Sequence, residues 1–112
     1  MTTAQCQVKG RLLCITGEMT IYQSRKLKEE IFSLLSSPEI SEFDLSDVTE
    51  FDSSGFQLIA LARREAGYRG RPLTVRSCSL AVQRVFDAYA VADWMSAKPA
   101  KGVKRSAAKK GE

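Results

Sequence analysis

The stretch FDLSDVTEFDSSGFQLIALA, residues 43–62, decides the fold that we predict for this sequence. Its first part alternates apolar and polar side chains, as a half-buried β-strand does. Its last part repeats apolar side chains at the spacing of a helix with one buried face. Between the two lies DSSG, residues 52–55, so a strand is predicted to pass into a helix at a turn with exposed hydroxyls.

The hydroxyls at this junction can be interpreted in two ways. A serine before a helix caps the first amide groups and meets the positive end of the helix dipole. A phosphate placed there would meet the same backbone amides, as a modification switch requires. Ser54-x-x-Gln57 fits a capping box, which predicts that Ser54 holds the cap and leaves Ser53 free. Gly55 is expected to keep the junction open and to permit backbone angles that a larger residue resists.

The length and the charge distribution indicate one domain with a tail. A chain of 112 residues suits a single core. From Lys98 onward six basic residues and one acidic residue give a net charge of +5, whereas 11 basic and 12 acidic residues before that give −1. We expect a domain over residues 1–96 and a basic, disordered tail over residues 97–112. The tail is interpreted as solvated or, alternatively, as binding acidic partners, and the domain has no sign of a nucleic-acid surface.

Several classes of function are disfavoured by composition. The sequence has no histidine, which removes the Ser-His-Asp and Cys-His arrangements and nearly all zinc sites. No motif pairs its carboxylates, and no phosphate-binding G-x-x-x-x-G-K-[ST] loop is present. We therefore expect neither enzymatic activity nor a cofactor or metal.

The location is also predicted from composition. Three cysteines without C-x-x-C spacing suit unpaired, buried or half-buried thiols in a reducing compartment. The start has no secretory signal, and no apolar run approaches the roughly 18 residues of a membrane span. We expect a cytoplasmic protein without membrane insertion.

Strands and helices are predicted to alternate, which implies an α/β layer structure with at least one parallel pair of strands. The third helix is expected to bury one face, and the segment after it to pack back on the core with the only tryptophan as a core residue or lid. The predicted strands are 6–8, 11–16 (ended by Gly17), 40–45 and 72–76. The predicted helices follow a capping box at Thr20-x-x-Gln23, run from Ser53 or Ser54 to Ala66, and follow a cap at Ser77 or Ser79 with Val82, Val85, Phe86 and Tyr89 buried.

This order, together with the phrase FDLSDV leading to FDSSG, resembles the STAS domain, the fold of bacterial anti-sigma factor antagonists. Residues 79–86, SLAVQRVF, are similar to the serine-led third helix of that family. The resemblance covers about residues 5–95. It implies a single α/β domain with a mixed four- to five-stranded sheet and helices packed mainly on one face.

The resemblance also implies a function. In the family the hydroxyl residue directly after the aspartate is the phosphoacceptor, which is Ser53 here, with Ser54 as the alternative. The unphosphorylated form is expected to bind an ATP-dependent anti-sigma kinase and free a sigma factor. The kinase then phosphorylates and releases the domain, and a phosphatase resets it. The expected oligomeric state is a monomer or weak dimer, and the expected partner-binding residues are Asp52, Ser53, Ser54, Gly55 and Phe56.

Some roles and alternatives stay open. Asp52 either orients the hydroxyl or a kinase-bound metal, or simply helps the helix start, and Phe56 is a core position or a docking residue. Phe56 and Gln57 replace the Leu and Gly usual in sporulation and general-stress antagonists. Residues 17–22, GEMTIY, look like STAS modules of chemotaxis-type signalling systems. A third branch of the family serves as a small docking subunit of lipid-transport ABC systems.

Overall fold

The computed structural model describes residues 4–95. The predicted tail over residues 97–112 lies outside the described residues. Within them, four strands and three α-helices are followed by a short 3₁₀ turn. Their bounds are β1 Gln5–Lys9, β2 Leu12–Met19, α1 Ser24–Leu34, β3 Glu42–Phe51, α2 Ser53–Tyr68, β4 Thr74–Cys78, α3 Leu80–Tyr89 and the 3₁₀ turn Ala92–Trp94.

The strands form one mixed sheet in the order β1-β2-β3-β4. β1 and β2 form an antiparallel hairpin, whose turn contains Gly10 at a φ of 63°. β3 pairs in parallel with both β2 and β4. Parallel neighbours need a crossover connection, and α1 and α2 supply the two that this order requires. The predicted mixed sheet is confirmed, with four strands in the described part of the chain.

The helices pack on one face of this sheet. α2 lies between α1 and α3 and contacts both. The strand residues that point toward the helices are fully buried, and each helix buries an apolar stripe against them. The strand contribution includes Leu13, Ile15, Met19, Phe43, Leu45, Val48 and Val75, and the helix contribution includes Leu27, Ile31, Leu58, Ile59, Ala62, Val82 and Phe86.

The opposite face of the sheet carries a polar cluster around Asp44. Asp44 Oδ1 accepts hydrogen bonds from Ser46 N at 3.0 Å, Ser46 Oγ at 2.7 Å and Ser77 Oγ at 2.8 Å. Burial by itself raises the pKa of Asp44, but the hydrogen bonds from the two serines outweigh it and lower the pKa. This carboxylate is therefore held in its charged form by its own neighbours.

The sheet extends further toward DSSG than the sequence predicted. β2 does not end at Gly17, because Gly17 adopts a φ of 92° and the register shifts beside it, which lets the strand continue to Met19. β3 then continues past Leu45 to Phe51, which pairs with Met19. The predicted ends of both strands were wrong because pairing between them, rather than local pattern, sets their length.

Of the caps predicted for α1 and α3, the first is wrong and the second is confirmed. The capping box at Thr20 is wrong, since α1 begins after Gln23 without a side-chain cap. Thr20 Oγ1 is instead buried without a hydrogen-bond partner among the described residues. The cap of α3 is confirmed at Ser79, the second of the two candidates, whose Oγ accepts from Val82 N at 3.3 Å.

The end of the described chain packs back on the core, as predicted. α3 ends at Tyr89, and the next residue, Ala90, has a left-handed φ of 56°. Met95 then forms a parallel bridge with Val75, and Trp94 packs against the core. Tyr89 departs from the prediction, because 51% of its surface is exposed.

Gly55 allows the start of α2 to approach the sheet closely. A Cβ atom on Gly55 would lie 2.6 Å from the carbonyl oxygen of Met19 and 2.8 Å from the ring of Phe51. Gly55 is helical and has no positive φ, so the backbone freedom predicted for it is not what the fold uses. The requirement is for space, because helix and strand backbones meet where a side chain would clash.

We expect Gly55→Ala to destabilise the protein by about 1–3 kcal/mol, because the Met19 carbonyl belongs to a paired strand and cannot move away cheaply. Gly67→Ala is the matched control in the same helix, since an added Cβ there meets nothing within 4 Å. It should be neutral or stabilising by up to about 1 kcal/mol through helix propensity. Urea unfolding of the two variants checks this, and equal effects would contradict the packing argument.

The three cysteines are unpaired; Cys14 is buried, and Cys6 and Cys78 are half-buried. Desolvation is the main cause that raises the pKa of both half-buried thiols to about 12. Nearby carboxylates add to this, from Glu30 beside Cys6 and from Asp44 and Asp87 beside Cys78. The thiols are thus held in their less reactive, protonated form.

At pH 8 we expect Cys6 and Cys78 to react with a disulfide reagent roughly 50-fold more slowly than free cysteine, the scarcity of thiolate being partly offset by its greater nucleophilicity. The rate should rise with pH up to about 12, where the thiols lose their protons. Absorbance of the released thiol, with the urea-unfolded chain as control, measures this. Labelling at the same rate in folded and unfolded protein would contradict it.

Candidate functional site

Asp52 caps α2. It adopts an extended backbone conformation, and its Oδ1 accepts hydrogen bonds from Ser54 N at 2.9 Å and Gly55 N at 3.2 Å. The predicted cap at Ser54 is therefore wrong. Since β3 runs to Phe51, the helix begins at Ser53, two residues earlier than a cap at Ser54 requires, and the preceding carboxylate reaches the first amides.

The same carboxylate binds a second segment of the chain. Asp52 Oδ2 accepts a hydrogen bond from Ile21 N at 3.2 Å, in the turn between β2 and α1. One side chain thus joins the end of β3, the start of α2 and a turn that lies 31 residues earlier. This capping and tethering role fits the structural reading of Asp52.

Ser53 is the first residue of α2 and is exposed. Its hydroxyl makes no hydrogen bond to any of residues 4–95. Because Asp52 provides the cap, Ser53 is not needed to start the helix. Two of the amides that the sequence offered to a phosphate are already bound by Asp52, so a charge added at Ser53 would project toward solvent.

Two exposed apolar side chains in the turn that Asp52 tethers were not predicted as site residues. Ile21 and Tyr22 have 63% and 90% of their surfaces exposed, in the turn that Asp52 tethers. Large exposed apolar groups are typical of a docking surface. Their signal in the sequence was two large apolar residues between a strand and a helix, which also suits core positions.

Phe56 is half-buried in an aromatic stack. Its ring lies 4.1 Å from the ring of Tyr89 at 16° and 5.0 Å from that of Trp94 at 14°. Both faces of the Phe56 ring are therefore covered, which leaves its edge. The guanidinium of Arg63 sits 4.8 Å above the Trp94 ring, where a cation is attracted by the ring face. The stack fixes the 3₁₀ turn to the first half of α2.

The five residues predicted to bind a partner thus lie together but differ in access. Ser53 is exposed, Asp52, Ser54 and Phe56 are half-buried, and Gly55 is buried beneath them. Within residues 4–95 no three carboxylate or cysteine side chains lie close enough to hold a metal ion. In the same part of the chain no helix is long and apolar enough to cross a membrane. The arrangement suits an acceptor hydroxyl within a protein-docking surface.

Similar folds occur in anti-sigma factor antagonists. The structure of SpoIIAA in its unphosphorylated form is 18% identical, covers 86% of this chain and 89% of its own, and has a TM-score of 0.60. An anti-sigma factor antagonist from Mycobacterium paratuberculosis is 16% identical, covers 90% of this chain and 88% of its own, and has a TM-score of 0.71. The Bacillus cell fate determinant SpoIIAA in its phosphorylated form is 18% identical, covers 83% of this chain and 88% of its own, and has a TM-score of 0.61. At these identities the likeness shows the fold alone.

A family model supplies the assignment. No curated protein matches the chain. The family model described as "Mlab, STAS domain" matches residues 3–97, which include the whole described domain. The order of its strands and helices agrees with that match. The chain belongs to the STAS domain family.

Proposed function

We propose that this protein is a phosphorylation-regulated partner-switching protein, an anti-sigma factor antagonist without enzymatic activity. In this proposal its unphosphorylated form binds an anti-sigma factor that is also a serine kinase, and Ser53 is the phosphoacceptor. A phosphatase restores the binding form. The observation that carries the proposal is the exposed Ser53 hydroxyl, which Asp52 releases from capping while it tethers the turn that carries exposed Ile21 and Tyr22.

The charge at this position explains how binding would be switched. Phosphorylation adds roughly −1.5 to −2 charges next to the Asp52 carboxylate. Because that carboxylate already binds the nearest amides, they are not free to neutralise the phosphate. The added charge repels an acidic partner surface and must be desolvated when the partner docks. The domain keeps its fold while its docking surface changes.

The fold neighbours support this proposal. SpoIIAA, whose fold resembles that of this chain, exists in an unphosphorylated and a phosphorylated form. A related anti-sigma factor antagonist is known from Mycobacterium paratuberculosis.

A second candidate is a docking module of a transport or chemotaxis-type assembly. The observation that favours it is that the matching family model is described by Mlab rather than by an anti-sigma factor antagonist. Such a module would use the same exposed surface around Tyr22, and Ser53 would contact a partner without being phosphorylated. The two candidates therefore differ in the chemistry at Ser53 and in the protein that is recovered with the chain.

Ser53→Ala should abolish phosphate incorporation and leave a form that binds its partner permanently. The tagged protein is purified from its own cells with its partners and incubated with labelled ATP. Ser54→Ala is the control and should still be labelled. Labelling that is lost in Ser54→Ala and kept in Ser53→Ala would move the site to Ser54. Recovery of a transporter ATPase, with no kinase and no labelling of the wild type, would favour the second candidate.

Ser53→Ala and Asp52→Ala together distinguish the role of the Ser53 hydroxyl from that of the helix cap. Ser53→Ala should change the free energy of unfolding by less than about 0.5 kcal/mol, because the hydroxyl supports no described contact. Asp52→Ala should cost about 1–3 kcal/mol, because it leaves the amides of Ser54, Gly55 and Ile21 without their acceptor. Urea unfolding measures both. A large loss in Ser53→Ala would mean that Ser53 also caps the helix.

Tyr22→Ala should weaken partner binding at least roughly tenfold, as expected for an exposed aromatic anchor. Tyr68→Ala is the matched control, since Tyr68 is 79% exposed at the far end of α2. Ser53→Asp should weaken binding only in part, because one carboxylate carries less charge than a phosphate. Calorimetric titration with the purified partner gives the dissociation constants. Equal loss in both tyrosine variants, or tight binding of Ser53→Asp, would contradict this docking surface.

A further inference from the structure

A groove runs from the Ser53 end of α2 along its outer face. Its first part has a volume of about 330 Å³ between α1 and α2, and its second part, about 320 Å³, continues along α2. Gln57 and Leu61 line both parts, so the two parts adjoin along α2. The first part is also lined by Ser24, Arg25, Lys28, Ser54 and Leu58, and the second by Ala60 and Arg64.

The length of this groove follows from helix geometry. Ser54, Gln57, Leu61 and Arg64 are spaced three and four residues apart, which places them on one face of α2. The ten residue-to-residue steps from Ser54 to Arg64 rise by about 15 Å. A helical segment of about ten residues, nearly three turns, would span that distance.

The charged side chains of the groove are all basic. Arg25, Lys28 and Arg64 are exposed, and none forms an ion pair within the described residues 4–95. By contrast, Lys26 on α1 is paired with Glu30, and Arg69, directly after α2, is paired with Glu65. This excess is local, because the first 97 residues carry a net charge of −1.

The floor of the groove is apolar. Leu58 is 4% exposed, and Ala60 and Leu61 are half-buried between the basic side chains. Apolar floors with charged margins are typical of grooves that bind amphipathic helices, in which apolar anchors give affinity and charges give selectivity. The basic residues beyond 98 would be repelled from it, so this chain's own tail is not a suitable occupant.

We infer that this groove binds an amphipathic helix of a protein partner whose polar side is acidic. The inference deepens the proposed function and rests on it for the identity of the partner. The groove begins at Ser54, directly after Ser53. A phosphate on Ser53 therefore places negative charge at the end of the groove, where it opposes an acidic helix. Partner release then follows from charge at the mouth of the groove.

A display library of helical peptides of about 14 residues, randomised on both faces, tests this chemistry. Selection uses the full chain, an Arg25→Glu/Lys28→Glu double variant, and Arg84→Glu as a control of equal chemistry on the exposed side of α3. Circular dichroism confirms that each variant is folded. Peptides selected by the wild type should be enriched at least about twofold in acidic over basic residues and carry apolar anchors at helical spacing.

The double variant should reverse this charge preference, and Arg84→Glu should keep it. The inference would be overturned if the selected peptides showed no charge preference, or if the double variant left that preference unchanged. It would also be overturned if no binder were selected. Self-association in sedimentation velocity that is lost in Arg64→Glu would overturn it as well, because it would assign the groove to a second copy. Preferential binding of a single-stranded oligonucleotide through the same residues would also overturn it.

This experiment is independent of the proposed function because it uses neither ATP nor a kinase. Phosphate incorporation at Ser53 without acidic selection would remove the groove assignment and leave partner switching in place. Acidic selection without incorporation at Ser53 would retain the groove and remove the phosphorylation step.

Discussion

The Asp52 carboxylate is the interaction on which the rest of the site depends. Its two oxygens bind three backbone amides, two at the start of α2 and one in the turn after β2. This geometry requires α2 to begin against the strand ends, and that approach requires Gly55, because a Cβ would meet the Met19 carbonyl. Cap and glycine together hold the turn and the helix start as one rigid surface.

In that arrangement, the residue that caps the helix is not the residue that carries the exposed hydroxyl. Since Asp52 satisfies the amides, the neighbouring hydroxyl of Ser53 is free to change its chemistry without loss of a cap. Since Tyr89 and Trp94 cover the faces of Phe56, the first half of α2 is anchored without using its exposed side. A charge added at Ser53 is then felt by whatever docks rather than by the core.

α2 therefore has three parts with different surroundings. Its inner face completes the core through Leu58, Ile59 and Ala62. Its first turn carries the exposed Ser53 hydroxyl, which we propose as the phosphoacceptor. Its outer face, with α1, forms a basic groove that continues from the same end. In our proposal, a phosphate on the first residue of this helix acts on the docking surface through its charge.

By itself the sequence determined the α/β class, the mixed sheet and the strand-to-helix junction at DSSG, because periodicity and turn residues act over a few neighbouring positions. It also placed Ser79 among the caps of α3. Only the tertiary structure decided that Asp52 rather than Ser54 caps α2 and that Gly55 provides space rather than backbone freedom. It also decided that Ile21 and Tyr22 stand exposed in the turn tethered by Asp52. Each depends on β2 and β3 extending together to Met19 and Phe51, and the Asp52–Ile21 contact spans 31 residues. No local pattern encodes such a distance, because it is set by which strands pair.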